Sequence, residues 1–276
     1  MRAIREGLSQ HYERKWQHHD GYWLDHYPVS QCVYAFQIER RNAEILAAIP
    51  DGLGTILDVG CGVGDLMLPL ARKSRRVVGV DVAAANVRQA RRNLLRSGVG
   101  NSALIQSGAE ALPFRAQSFD AVVMADVIEH VPDVDRALVE ARRVLRAGGV
   151  FICVTPHAQT LRMISRTDRM IQAVLLFPFR HRRSGYEDAM VYERFLTKAE
   201  MEVALRQAGF AAAMYRRVCF YPGREGGGMF GVLMHVAHRV LKDVWFSALS
   251  RTLIAVFSAV ERLGAFNQKQ MWVVRV

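Results

Sequence analysis

The middle of the chain alternates two patterns of hydrophobic positions. Short, continuous apolar runs rich in β-branched residues are typical of strands that are buried on both faces. Between these runs, apolar residues recur every three or four positions, as on one face of an amphipathic helix. Strands and helices that alternate in this way predict a parallel sheet with helices on both faces. The runs that predict the first five strands are Thr55–Val59, Arg76–Val80, Ala103–Gln106, Phe119–Ala125 and Val150–Val154.

The helical pattern and its end signals complete this prediction. Thr197 is an expected N-cap of the last helix, and Gly148 and Gly149 are expected to end the third. Two further strands are predicted at Phe210–Tyr221 and Gln270–Val276. The predicted fold is α/β: a Rossmann-like, doubly wound, seven-stranded and mostly parallel sheet. Its predicted helices are Leu66–Lys73, Ala84–Ser97, Val134–Leu145 and Thr197–Ala208.

Three segments lie outside the alternation of strands and helices. Residues 1–50 are rich in histidine and aromatic residues and read as helical, residues 158–195 mix apolar and basic positions, and residues 222–268 contain about two apolar helices. In doubly wound sheets, ligands bind beyond the carboxyl ends of the strands. We therefore predict an N-terminal helical lid at 1–50 and a ligand-binding domain at 51–276, with cap insertions at about 158–195 and 222–268.

Charge and cysteine content narrow the partners and the compartment. The net charge of +11 favours an anionic partner, such as nucleic acid, an anionic membrane surface or an acidic substrate, although a solvated basic surface explains it equally well. The four cysteines form no CxxC pair, which disfavours a zinc site and a disulfide framework and indicates a reducing compartment. The first residues contain no apolar signal segment, and no apolar run approaches the ~18 residues of a membrane span. We expect a cytoplasmic protein.

A glycine-rich turn follows the first predicted strand. Gly60, Gly62 and Gly64 permit a tight turn and a close approach of backbone N–H groups to a ligand. Their G-x-G-x-G spacing differs from the G-x-G-x-x-G that binds a pyrophosphate. Asp58, just before the turn, would repel a diphosphate and attract a cation, while Asp81 at the end of the second strand can accept ribose hydroxyls. A ligand that carries an amino acid and a sulfonium fits this pattern better than NAD does.

Five motifs in order carry a resemblance to a known family. They are ILDVGCGVGD, VVGVD, AEALPF, SFDAVVMADVIEHVPD and LRAGGVFICVTP. In this order they resemble the class I S-adenosylmethionine-dependent methyltransferases, in the small-molecule branch that includes ubiquinone and menaquinone biosynthesis enzymes. The resemblance covers residues 54–156 well and residues 194–221 loosely. It implies S-adenosylmethionine as the cofactor and a methyltransferase domain at 51–276.

The resemblance also implies a role for individual residues of the cofactor site. Where the family often has Asp, this chain has Gly108, so the usual side-chain contact to the adenine amino group is missing. Glu110 is a candidate replacement, but we expect it to point to solvent or to cap a turn. The implied contacts are Gly60, Gly62 and Gly64 along the methionine part, Asp58 near its ammonium group, Asp81 at the ribose, Val82 and the backbone of Ala109 at the adenine, and Ala125 and Asp126 beside the methionine and the transferable methyl.

The chemistry that the protein must add is small. Methyl transfer from a sulfonium is an in-line displacement, so the protein aligns the nucleophile and removes its proton where needed. His157 directly follows Pro156, beyond the fifth strand, and His130 follows the fourth strand, which makes both candidates for a general base or a substrate contact. The alternative for His130 is a hydrogen bond that fixes its loop. No group of residues has metal-ligand spacing, so we expect metal-independent transfer.

The apolar segment at 222–268 suggests the class of acceptor. It either packs on the sheet or forms an apolar substrate channel or a membrane-facing surface. We expect a small, apolar or anionic acceptor (a quinone, polyketide, lipid or lipid-linked glycan), O-methylation, and a peripheral membrane contact. The alternatives are a nucleic-acid methyltransferase, which the absence of a D-P-P-Y or N-P-P-Y motif disfavours, a non-catalytic protein that binds the cofactor, and a nicotinamide dehydrogenase, which the glycine spacing disfavours.

Overall fold

A computed structural model describes residues 28–158, 193–211, 213–220, 252 and 267–276. Most of both predicted cap insertions and the first 27 residues of the predicted lid lie outside the described residues. No helix in the described ranges is both long and apolar enough to cross a membrane. What the structure does describe is the sheet, its flanking helices and the last part of the N-terminal segment.

Seven strands and five α-helices make up the described part of the chain. A short 3-10 helix, Ile128–His130, follows the fourth strand. In chain order the helices and strands are α1 (Pro28–Ala48), β1 (Leu53–Val59), α2 (Met67–Lys73), β2 (Ser74–Asp81), α3 (Ala84–Arg96), β3 (Ser102–Gln106), β4 (Phe119–Ala125), α4 (Val134–Val144), β5 (Leu145–Pro156), α5 (Lys198–Gln207), β6 (Met214–Phe220) and β7 (Asn267–Arg275).

The sheet has the strand order β3-β2-β1-β4-β5-β7-β6. The first five strands pair in parallel, and β7 lies antiparallel between β5 and β6. The strand order reverses between β1 and β4, which is where such sheets open a crevice for a ligand at their carboxyl ends. The predicted fold class, a Rossmann-like and mostly parallel seven-stranded sheet, is confirmed.

Alternate residues of each strand enter two separate cores. Leu57 and Val122 pack on the face that α4 and α5 cover, whereas Ile56 and Val123 pack on the opposite face with α2 and the end of α1. Successive side chains of a strand point to opposite faces, and both faces here are buried, so the strands read as continuous apolar runs. Ile45 near the end of α1 is fully buried, which makes this part of the N-terminal segment a layer of the domain.

The junction between α4 and β5 differs from the prediction. The helix ends at Val144, and Leu145 already begins the strand. Gly148 has a φ of 76°, but it lies inside β5, where its N–H donates to the carbonyl of Val276. The prediction that Gly148 and Gly149 form the helix C-cap is therefore wrong, because the chain joins the sheet three residues before Gly148. The predicted N-cap at Thr197 is confirmed by a capping box with Glu200.

Candidate functional site

The glycine turn is bonded to the neighbouring strand at its first two residues. The N–H groups of Gly60 and Cys61 both donate to the carbonyl of Val80, at 2.7 and 2.9 Å. Gly60 has a φ of 71°, and a Cβ there would lie 2.3 Å from the Val127 side chain. Positive φ and this close approach both require glycine at position 60. The turn is thereby held against the ends of β2 and β4.

Gly62 differs from Gly60 in having open space beside it. It also has a positive φ, 52°, but a Cβ there would meet no protein atom within 4 Å. Its N–H donates to Asp81 Oδ2 at 2.9 Å. The positive φ accounts for a glycine at this position, and the open space beside it leaves room for a ligand to approach the backbone. Gly64, with a φ of 89°, closes the turn against Ala90 of α3.

Asp81 joins the turn to the start of α3. Its Oδ1 accepts the N–H of Ala83 at 2.9 Å and the side-chain amide of Asn86 at 3.1 Å. Burial raises the pKa of Asp81 above its usual value, and hydrogen bonds from Ala83, Gly62 and Asn86 oppose that rise. A carboxylate has about four acceptor positions, so three of them are already used. The fourth is available to a ligand hydroxyl.

Asp58 places a second carboxyl beside the turn. Its side chain lies at the end of β1, is only 2% exposed, and its Oδ2 has no hydrogen-bond partner. Burial raises the pKa of Asp58 to about 7; the positive charge of Arg41 opposes this, and the nearby Asp81 and Asp65 add to it. A buried carboxyl oxygen without a donor is costly in a finished protein. The geometry fits a cationic ligand group, such as the ammonium of a bound amino acid.

Asp126 forms the centre of a charged cluster that the sequence did not predict. It follows β4 with a φ of 57°, and its Oδ2 accepts from Arg41 of α1 at 2.8 Å and from Lys269 of β7 at 2.5 Å. Burial alone would raise the pKa of Asp126, but the two cations outweigh burial and hold it at about 2. Asp126 Oδ1 is buried without a hydrogen-bond partner. The cluster joins three distant parts of the chain at the carboxyl end of the sheet.

Glu129 lies next to this cluster in the 3-10 helix. It is buried, and its Oε2 lies 3.0 Å from the hydroxyl of Thr155. Burial, together with the negative charge of Asp126, raises the pKa of Glu129 to about 8. The carboxyl is therefore mostly protonated at neutral pH and can donate a hydrogen bond. In that state Arg41 and Lys269 outnumber the ionised Asp126, so this cluster of side chains carries a net positive charge that attracts an anionic group.

The two histidine candidates lie on neighbouring strand ends. His157 directly follows β5 and is 6% exposed, and burial followed by the charge of Arg217 lowers its pKa. Its imidazole is therefore neutral at physiological pH and can accept a proton. His130 ends the 3-10 helix and is partly buried, and its N–H donates to the carbonyl of Val127 at 2.9 Å.

The region predicted to hold the adenine follows β2 and β3. Val82 is partly buried, and its carbonyl accepts from the Gln106 side chain at 3.1 Å. Ala109 and its sequence neighbour Glu110 are both buried, and the carbonyl of Glu110 accepts from Arg136 at 2.9 Å. The expectation that Glu110 points to solvent is wrong. The Glu110 side chain is buried in the protein. It is the candidate that could replace the carboxylate that Gly108 does not supply.

The structure thus brings the predicted cofactor residues to one edge of the sheet. Asp58, Asp81, Ala125 and Asp126 end β1, β2 and β4, and the glycine turn lies between them. Arg41 and Lys269 were missed. Arg41 carries no local signal in a charged helix, but Lys269 has the same alternation parity as the buried Met271 and Val273, which would have marked it as an inward-facing charge. Among described residues, no group of three or more His, Cys, Asp or Glu is arranged to hold a metal ion.

Comparisons with known proteins agree with this geometry. Residues 57–153 match a family described as a methyltransferase domain. This range runs from the end of β1 into β5 and includes the glycine turn, Asp81 and Asp126. The family match therefore covers the residues that are predicted to bind the cofactor, and it leaves the segments predicted as lid and caps outside.

Curated relatives match a larger part of the chain. A ubiquinone biosynthesis O-methyltransferase of Chelativorans is 31% identical over 167 residues, which cover 60% of this chain and 62% of that protein. A ubiquinone/menaquinone biosynthesis C-methyltransferase of Rickettsia felis is 27% identical over 229 residues, 78% of this chain and 89% of that protein. The chain spans a little less than two thirds of the length of the first of these relatives.

A solved structure has a similar fold. A crystal structure of an S-adenosylmethionine-dependent methyltransferase from Thermotoga maritima superposes with a TM-score of 0.57 at 19% identity and covers 100% of this chain and 99% of that one. The shared fold, the family match at 57–153 and the curated relatives all agree with the cofactor edge described above. Residues 57–153 thus resemble a methyltransferase domain in sequence, and the chain is similar in fold to an S-adenosylmethionine-dependent methyltransferase.

Proposed function

We propose that this protein transfers a methyl group from S-adenosylmethionine to a hydroxyl of a small, partly apolar acceptor of the quinone type. The observation that carries the proposal is the buried Asp58 Oδ2 without a donor, beside a glycine turn whose Gly62 has open space. Both relatives are named as methyltransferases of ubiquinone biosynthesis, which supports the quinone type of acceptor. One is an O-methyltransferase and the other a C-methyltransferase. Methyl transfer to oxygen is the form we propose.

The residues around the turn match the two charged ends of an amino acid. Asp58 would hold an ammonium group through the oxygen that lacks a donor, and Arg41, whose charge reaches both Asp58 and Asp126, would attract a carboxylate. Asp81 would accept a ribose hydroxyl at its one remaining position, and a second hydroxyl would have to displace or share the Asn86 amide. Val82 and the backbone of Ala109 would contact the adenine.

The reaction needs an aligned acceptor and a group to take its proton. S-adenosylmethionine supplies, when bound, the methyl group on its sulfonium. His157, neutral because burial and Arg217 lower its pKa, would remove the proton of the acceptor hydroxyl. The excess positive charge of Arg41 and Lys269 around Asp126 would favour the oxyanion that forms. His130 is the second candidate for contact with the acceptor.

A transfer assay tests this proposal. The protein is incubated with S-adenosylmethionine labelled in its methyl group and with catechols or hydroxylated quinols that carry short prenyl chains. We expect label in the organic extract, with O-methylation identified by mass spectrometry and NMR. His157→Gln should lower kcat by about 10²-fold or more if the imidazole is the base. It should also remove the rise of the rate that the native enzyme shows as pH passes through the pKa of His157, below its usual 6.5.

The other outcomes separate the alternatives. Label on a ring carbon would replace O-methylation by C-methylation, and label in added RNA would point to a nucleic-acid methyltransferase. Cofactor binding without transfer to any acceptor would favour a non-catalytic binding protein. An unchanged kcat and pH profile in His157→Gln, with a loss in His130→Gln, would assign the base to His130.

A further inference from the structure

The outer face of α3 is a continuous strip of arginine. Every exposed position of this helix is occupied by Arg88, Arg91, Arg92, Leu95 or Arg96. These positions follow the i, i+3, i+4, i+7, i+8 spacing of one helical face and extend over roughly 12 Å along the axis. The helix contains no acidic residue. We call these five residues the arginine face.

Three arginines of the arginine face have no counter-charge within the described residues. Arg91, Arg92 and Arg96 form no ion pair in the part of the chain that the structure describes. Other exposed arginines do pair, for example Arg216 with Glu44 and Arg194 with Glu200. Arg75 and Arg76 are also exposed, at the start of β2. The helix α3 follows β2 and runs back, so its carboxyl end lies at the same end of the sheet. Like charges repel one another here without a counter-charge, so the face is suited to an anionic partner.

The inner face of α3 fixes the helix on the cofactor turn. The Asn86 amide donates to Asp81, and the Asn93 amide donates to the Val63 carbonyl at 2.9 Å. Gln89 supports Asn93 with a hydrogen bond at 3.1 Å. These hydrogen bonds attach the helix to the turn through its inner face and leave the arginine face directed outward.

Leu95 distinguishes between anionic partners. It is 71% exposed near the carboxyl end of the arginine face, one turn after Arg91 and Arg92. A helix with arginine around a protruding apolar side chain suits the interface of an anionic bilayer, where the charges meet lipid phosphates and the leucine enters the acyl boundary. Binding of single-stranded nucleic acid uses aromatic side chains for base stacking, and α3 has none.

We propose that the arginine face of α3 docks the enzyme on an anionic phospholipid surface. This inference goes beyond the proposed methyl transfer and does not require it. Docking would hold the enzyme at the membrane in which an apolar acceptor of the quinone type dissolves. The partner is the lipid surface itself, recognised by its phosphates and its acyl boundary.

Vesicle sedimentation of the full chain tests the docking surface. Vesicles of phosphatidylcholine alone are compared with vesicles that also contain phosphatidylglycerol. The native protein should bind the anionic vesicles and lose binding as salt is added. Each arginine near such a surface contributes about fivefold to the partition coefficient, so Arg91→Gln/Arg92→Gln/Arg96→Gln should lower it roughly a hundredfold. Leu95→Ser should lower it by about tenfold without a change of charge.

A matched variant separates this face from net charge. Arg115→Gln/Arg206→Gln/Arg275→Gln removes three charges from exposed positions elsewhere and should bind vesicles nearly as the native protein does. Circular dichroism and S-adenosylmethionine binding report whether each variant is folded. Equal losses in both triple variants, no loss in the α3 triple, or binding to RNA without binding to vesicles would each overturn the proposal.

Discussion

Asp58 is a residue of the proposed cofactor site whose buried carboxyl oxygen Oδ2 lacks a hydrogen-bond donor within the described protein. Folding places its carboxyl at the end of a buried strand, supplies no donor to Oδ2, and leaves its pKa at about 7. Arg41 offsets the cost of burial only in part. A ligand ammonium at Oδ2 would supply the missing donor and a full positive charge. In the proposed site, Asp58 would thus lower the stability of the ligand-free protein and raise its affinity for the ligand.

The pKa of Asp58 makes cofactor binding depend on pH. The ligand-free carboxyl is protonated below about pH 7, and an ammonium ligand favours the ionised form, so binding releases a proton. The affinity for S-adenosylmethionine should rise by about tenfold for each pH unit up to about pH 7 and then level off. Calorimetry in buffers of different ionisation enthalpy measures the released proton. Asp58→Asn should bind more weakly with a flat profile, and an unchanged slope in this variant would contradict the assignment.

Gly62 and Gly98 form a matched pair for testing the turn. Both have positive φ, 52° and 67°, and a Cβ at either meets no atom within 4 Å. Alanine at either position should cost about 1–2 kcal/mol of unfolding free energy, because a left-handed backbone is strained for a residue with a Cβ. Only Gly62→Ala should also weaken S-adenosylmethionine binding. Chemical denaturation and calorimetry measure the two effects, and equal affinity in both variants would show that no ligand approaches Gly62.

At the scale of helices and strands, the sequence predicted what local patterns encode. Apolar runs located all seven strands, and Thr197 with Glu200 marked the start of α5, because periodicity and capping depend on near neighbours in the chain. The cluster of Arg41, Asp126 and Lys269 depends instead on α1, β4 and β7 meeting in space. The strand containing Lys269 was predicted to begin at Gln270, one residue after this lysine, so the prediction left Lys269 outside the strand and missed its inward-facing position.

The cluster should be tested as a unit. Lys269→Met leaves Asp126 with only Arg41, at a lysine site that is 8% exposed, and removal of one partner from a buried pair should cost about 3 kcal/mol. Asp126→Asn/Lys269→Met should recover part of this loss because the carboxylate charge is also removed. Urea unfolding of Lys269→Met, of Asp126→Asn and of the double variant gives the coupling free energy. Additive losses would mean that the two side chains do not interact.

At the scale of the molecule, the order of strands brings the predicted residues together. The reversal between β1 and β4 places Asp58 and Asp126 at the same crevice, with the glycine turn and Asp81 beside them. This convergence could be predicted because parallel strands end at one edge. The direction of the Glu110 side chain and the identity of the acceptor depend on packing and on segments outside the sheet, and residue patterns along the chain do not encode them.

Calorimetric titration tests the central claim, that this edge binds S-adenosylmethionine. S-adenosylmethionine, S-adenosylhomocysteine and NAD are titrated into the native protein, into Asp81→Ala, and into Asp135→Ala, which removes an exposed carboxylate of α4. We expect micromolar binding of the two sulfur ligands to the native protein and to Asp135→Ala, loss of that binding in a folded Asp81→Ala, and no binding of NAD. Failure of both sulfur ligands to bind the native protein would contradict the central claim.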